Sequence, residues 1–182
     1  MTPLEQFIAD VHDITSAENT PDDEALAMVV GTLLQELVAQ PYAVPAQFAQ
    51  RSSQHGGRGR YILHREPSFT VSSIVWAPGE VAAPHTHETW GAIGLVTNGI
   101  EERRYEERDD HTLNPLEHER HDPGAVSLLV PDDDIHSMHN LTLKDTVEIH
   151  VYGKDLTGLR RRRWSLDGHD VRDFVSDKYF NC

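Results

Sequence analysis

From about residue 55 onward the chain breaks into short strand-like runs separated by Gly, Pro and Asp, with no further helical period. Short strands bury an apolar face only by pairing and closing on one another, so this stretch reads as a β-barrel. The strands expected are 60–64, 69–76, 89–96, 99–108, 124–130, 135–140 and 146–152, with a weaker one at 161–165. The segment 109–123, rich in Asp, His, Asn and Pro, reads as a long connection. Ahead of the strands, Thr2-Pro3-Leu4-Glu5 has the form of a capping box, and Leu4, Phe7, Ile8 and Val11 follow at helical spacing. A second helix begins near Thr20 or Pro21 with Asp22, Asp23 and Glu24 in its first turn. It carries Leu26, Val29, Val30, Leu33, Leu34, Leu37 and Val38 on one stripe and stops before Pro41. The expectation is a mainly β chain with two or three N-terminal helices packed outside a barrel.

At 182 residues the chain suits one domain, with helices in 1–45, the barrel in 55–165 and a C-terminal tail in 166–182. A formal charge of −14 argues against a nucleic-acid partner, because phosphate binding needs a concentrated basic surface. No apolar run reaches the roughly 18 residues that a membrane span requires, so no membrane partner is expected. MTPLEQFIAD also lacks the pattern of a signal peptide, and a cytoplasmic location is expected. The single cysteine, Cys182, is the last residue; it excludes an intrachain disulfide and reads as a terminal thiol rather than a nucleophile.

Three of the twelve histidines carry metal-ligand spacing: His85 and His87 in PHTHETWG, and His136 in PDDDIHSMHN. Alternation along a strand puts His85 and His87 on one face, where a distant strand can add His136 to the same ion. A lone His-x-His pair is commonly incidental; joined to His136-x3-Asn140 and to Gly79, Gly99 and Gly124, it points to a metal site. In EIHVYG, the residues Glu148, His150 and Tyr152 share a face and can surround that site. His139 falls on the face opposite His136, and His111, His118 and His121 read as exposed loop histidines. The Glu- and Arg-rich segment 99–108 reads as a solvated, mixed-charge strand. Trp76, Trp90 and Trp164 read as core or cavity-wall aromatics. Imidazole ligands alone leave zinc, copper, iron and nickel open.

The segments PG-x5-HTH-x11-G from Pro78 to Gly99 and G-x6-P-x4-H-x3-N from Gly124 to Asn140 resemble the two motifs of the cupin superfamily. That resemblance implies a double-stranded β-helix, or jelly-roll, barrel. The usual cupin glutamate after the second histidine is replaced by Gly91 or Ala92 here, and Glu88 turns to the opposite face. Three neutral imidazoles leave a divalent iron with its full charge, which favours an anionic ligand such as a thiolate. This replacement, together with W-x-PG, HxH-x2-WG and IHVYGKDL, resembles the thiol dioxygenases over roughly residues 58 to 163. The resemblance implies Fe(2+) on His85, His87 and His136, and oxidation of a small carboxylate-bearing thiol by O2 to its sulfinate.

It further implies that His150 and Tyr152 match two members of a Ser-His-Tyr relay, with Glu148 at the serine position. No cysteine stands at Gly91 or Ala92 to crosslink the tyrosine, and Thr86 replaces an aspartate between the first two ligands. Arg60 falls where cysteine dioxygenases bind the substrate carboxylate, and Arg161 lies close to the arginine of the mercaptopropionate enzymes, within a run, Arg160 to Arg163, that is by default a solvated edge. Both arginines in one cavity would suit a dicarboxylate thiol; one alone would suit a monocarboxylate. A monomer or small homo-oligomer is expected. Two other readings fit the residues: a cupin dioxygenase acting on a diketone or aromatic substrate, and a non-catalytic, metal-containing cupin that binds a ligand.

Overall fold

A computed structural model describes residues 1–52, 57–176 and 179–181; Cys182 and the expected barrel start at 55 lie outside the described residues. Helix α1, Pro3–Thr15, opens on the expected capping box: Thr2 Oγ1 accepts from the Glu5 amide at 3.2 Å, and Glu5 Oε2 accepts from the Thr2 amide at 2.7 Å. Helix α2, Asp23–Val38, is capped by Asp22, whose Oδ1 accepts from the Ala25 amide at 2.9 Å. A 3-10 turn, Ala46–Phe48, leads into the strands. Ala27 and Gly31 lie on the buried face of α2, whereas Val29, expected there, is exposed.

The strands are β1 Gly59–Arg65, β2 Thr70–Trp76, β3 Val81–His85, β4 Gly91–Thr97, β5 Ile100–Glu107, β6 Leu113–His121, β7 Val126–Leu129, β8 His136–His139, β9 Thr146–Tyr152, β10 Arg160–Trp164 and β11 Val171–Val175. They form two antiparallel sheets, ordered β1-β2-β9-β4-β7 and β11-β10-β3-β8-β5-β6. From β2 to β5 the chain alternates between the sheets, and it does so again from β7 to β10. That winding makes the double-stranded β-helix, or jelly-roll, barrel expected of a cupin.

The first sheet separates an apolar core from the barrel interior by strict alternation. On β9, Val147, Ile149 and Val151 join α1 and α2 in the main apolar core, while Glu148, His150 and Tyr152 point the other way. On β4, Gly94 faces α2: a Cβ there would stand 2.8 Å from Leu34 Cγ and 2.7 Å from Val38 Cγ1. Only glycine lets the helix dock this closely.

Three expectations change. The segment 109–123 is largely β6, paired along its length with β5, because charged residues with period two form an edge strand as readily as a loop. Strand β3 was hidden by Ala82, Ala83 and Pro84, which carry little strand propensity. The stretch 166–182 is not simply a tail: β11 extends the second sheet, and Asn181 pins the chain to β1 by accepting from the Ile62 amide at 2.8 Å and donating to the Ile62 carbonyl at 2.7 Å. No helix of the described residues is long and apolar enough to cross a membrane.

Candidate metal centre

His85 ends β3, His136 begins β8, and the two stand opposite each other in the β3–β8 pairing. His87 does not share that strand, as alternation predicted; it lies two residues past the end of β3. Thr86 instead docks on β10, its amide donating to the Arg162 carbonyl at 3.0 Å and its hydroxyl accepting from the Arg162 amide at 3.1 Å. The His85 and His87 rings still come together, and the His87 ring is buried. Ring centroids lie 4.8 Å apart for His85 and His87, 4.9 Å for His87 and His136, and 5.1 Å for His85 and His136. One ligand atom from each lies within 4.8 Å of the others.

Each Nδ1 already has an oxygen acceptor: the Ala83 carbonyl for His85 at 2.9 Å, Asp134 for His87 at 3.2 Å, and Glu102 for His136 at 2.6 Å. An Nδ1–H donated outward leaves the Nε2 lone pair for a metal. Nε2 of His87 is buried with no partner, an orphan that coordination satisfies. Burial, reinforced by the neighbouring imidazoles and Arg161, pushes the pKa values of His85 and His87 well below the ordinary imidazole value, so both rings are held neutral. The donor set fits a divalent first-row metal.

Among the described residues no carboxylate joins the three rings. Gly91 pairs with Tyr152 across β4 and β9, and a Cβ at Gly91 would meet Tyr152 Cδ1 at 2.8 Å. The phenol ring therefore takes the space a fourth ligand from this position would need, and it stacks on His87 with centroids 5.5 Å apart and planes 18° apart. Glu88 is exposed and accepts from the Thr86 hydroxyl at 2.8 Å, outside the cluster.

Beside the rings runs a buried polar chain. The Trp76 indole donates to Glu148 Oε2 at 2.6 Å, His150 Nε2 lies 2.8 Å from the same oxygen, and His150 Nδ1 lies 2.7 Å from the Tyr152 hydroxyl. Indole can only donate, so Oε2 is its acceptor. A carboxylate there makes His150 donate from Nε2 and accept from Tyr152 at Nδ1. Burial, together with Tyr179, pushes the Tyr152 pKa up, keeping it a phenol.

Glu102 and Asp134 were missed by the sequence reading. Glu102 lies on the strand read as solvated, yet it is 3% exposed and also accepts from His121 at 2.8 Å and Ser127 at 3.0 Å. Burial alone would raise its pKa; the hydrogen bonds from His121 and His136, with Arg104 nearby, outweigh that and hold the carboxyl far below the usual range. The available signal was Ile100, an apolar residue two positions earlier that marks the inward face. His121 is half-buried against Glu102 rather than a loop histidine, while His111 and His118 are exposed and pair with Glu107 and Glu101. His139 points away from the cluster on β8, as expected.

A cavity of about 930 Å³ opens onto His85, His136, His150 and Tyr152 and is also lined by Arg60 and Arg161. Arg161, in the run read as a solvated edge, is 5% exposed; it donates to the Thr86 carbonyl at 3.0 Å and to Ser176. Trp76 and Trp164 line the same cavity, whereas Trp90 packs in the core against the helices.

No protein-family model matches the chain. Among solved structures it is similar to KdgF from Halomonas sp., at 19% identity over 60% of this chain and 91% of that one, with a TM-score of 0.47. It is also similar to an uncharacterized conserved protein with a double-stranded β-helix domain from Klebsiella pneumoniae subsp. pneumoniae MGH 78578, at 14% identity over 72% and 88% of the two chains, TM-score 0.47. A third is the Cupin_2 domain of an XRE family transcriptional regulator from Enterobacter cloacae, at 15% identity over 54% and 98%, TM-score 0.42.

Proposed function

We propose that the chain is a metal-dependent thiol dioxygenase that converts a small carboxylate-bearing thiol and O2 to the sulfinate, with iron(II) held by His85, His87 and His136. The observation that carries this reading is the three-histidine cluster, which no carboxylate joins among the described residues, with the Tyr152 ring standing where a side chain at Gly91 would project. When bound, iron would supply the one-electron chemistry that lets O2 react with a thiolate. The balance is RSH + O2 → RSO2⁻ + H⁺: two S–O bonds form, the O–O and S–H bonds break, and sulfur gives up the four electrons that reduce O2.

The chain's own residues orient the substrate and manage the proton. Arg161 offers a buried guanidinium for the carboxylate beside the cluster. Tyr152 presents its oxygen to the cavity while its proton points to His150 Nδ1. A thiol proton reaching that oxygen can pass to His150, and Glu148 stabilises the imidazolium that forms. The burial of Glu148, His150 and Tyr152 strengthens each of these contacts.

The test is His136→Ala with Glu101→Gln as a surface control. The expected result is joint loss of bound iron and of thiol-dependent O2 consumption in the first variant only. Retention of both by His136→Ala overturns the proposal.

A further inference from the structure

The chain carries 30 acidic residues against 16 Lys and Arg, yet its cavity presents cations that have no acidic partner among the described residues. Of the five arginines that line the cavity, Arg58 has an acidic partner among the described residues, Glu80 at 2.6 Å, whereas Arg163 and Arg172 have none. Arg60 and Arg161 likewise have none among the described residues. The Arg60 guanidinium lies over the Tyr179 ring at 5.1 Å, and Arg161 over Phe174 at 4.5 Å. Arg161 Nε is buried without any acceptor. A buried, unpaired donor on a cation is costly unless an anion arrives to meet it.

The two guanidiniums come from opposite walls. Arg60 stands on β1, in a cross-strand row with Ile74 and Glu148 of the first sheet. Arg161 stands on β10 of the second sheet, next to Arg163, which pairs with His85. A single carboxylate satisfies one of these cations, and about 930 Å³ is ample for more than a three-carbon acid. We infer that the substrate is a dianion apart from its thiol, a small dicarboxylate with one carboxylate on Arg161 beside the metal cluster and the second on Arg60 across the cavity. The thiol part of this inference rests on the function proposed above; the dicarboxylate part does not.

Binding is therefore measured first without a thiol and without turnover, by calorimetric titration of zinc-loaded protein with succinate and with propionate. Succinate is expected to bind at least about tenfold tighter, as a second charge-assisted contact warrants. Arg60→Gln should bring the ratio of the two affinities to within about threefold, and Arg161→Lys should weaken succinate while the zinc content stays full. Equal affinity of wild-type protein for succinate and propionate overturns the inference, as does a preference that survives Arg60→Gln. Oxygen uptake by the iron(II) form is then compared for mercaptosuccinate and 3-mercaptopropionate, where a lower KM for mercaptosuccinate that Arg60→Gln abolishes is expected. A succinate preference with no oxidation of either thiol would support the dicarboxylate site and sink the dioxygenase reading; oxidation of both thiols with equal KM would do the reverse.

Discussion

Replacing Glu102 by Gln tests the outer support of the metal cluster. The carboxylate accepts three hydrogen bonds, from His136 Nδ1 at 2.6 Å, His121 Nε2 at 2.8 Å and Ser127 Oγ at 3.0 Å, and has Arg104 3.4 Å away. An amide has one acceptor oxygen, so one of these donors would face an NH2 group in a site that water does not reach. Loss of such a partner typically weakens metal affinity 10- to 100-fold, or about 1.4–2.7 kcal/mol. The burial of Glu102 and the short bond to His136 place this case toward the larger figure. The assay is a competition titration with zinc and a chromophoric chelator at neutral pH, with far-UV circular dichroism to show an intact fold. Glu101→Gln is the control: it alters the neighbouring residue, whose partner His118 is exposed. Affinity of Glu102→Gln within about twofold of wild type would refute the reasoning, and equal weakening by both variants would trace the effect to the strand rather than to His136.

Gly91→Ala places a methyl group 2.8 Å from Tyr152 Cδ1 and 3.0 Å from the Val151 carbonyl, and should cost about 1–3 kcal/mol in urea unfolding; a neutral result would show that Tyr152 is free to move. Trp76→Phe removes the indole N–H from Glu148 Oε2 and should destabilise the chain by about 1–3 kcal/mol while shifting the pH profile of turnover; an unchanged profile would disconnect Glu148 from the relay. Burial tends to raise the pKa of Glu107, but hydrogen bonds from His111 and Arg162 outweigh it and hold the group below its ordinary value. Its contribution is therefore present above the unfolded carboxylate pKa of about 4.3 and lost as pH falls through the lower folded value. Acid unfolding of Glu107→Gln should show a flatter pH dependence in that window, and an identical slope would count against the linkage.

The meeting of the three histidines and the shared face of Glu148, His150 and Tyr152 were legible in the sequence, the second from strand periodicity and the first from the spacing of the two motifs. His85, His87 and His136 meet in the barrel, and Glu148, His150 and Tyr152 face inward while Val147, Ile149 and Val151 face the helices. What escaped was set by tertiary context. Glu102 looks like its neighbours in a run of charges, and only the barrel's closure buries it. The residues 113–121 carry no apolar alternation, since β6 is an edge strand whose side chains meet solvent. Phe174, Ser176 and Tyr179 become cavity wall only because β11 adds to the second sheet and Asn181 ties the end of the chain to β1. Arg161 reads as one of four consecutive arginines; its burial follows from which face of β10 turns inward.

The most direct measurement is turnover of iron(II)-loaded protein under 18O2 with a small thiol carboxylate, followed by mass spectrometry of the product. The account predicts a sulfinate that carries two heavy oxygen atoms, both from O2, with one O2 consumed per thiol. Recovery of unreacted thiol or disulfide alone, at full iron occupancy, would contradict it.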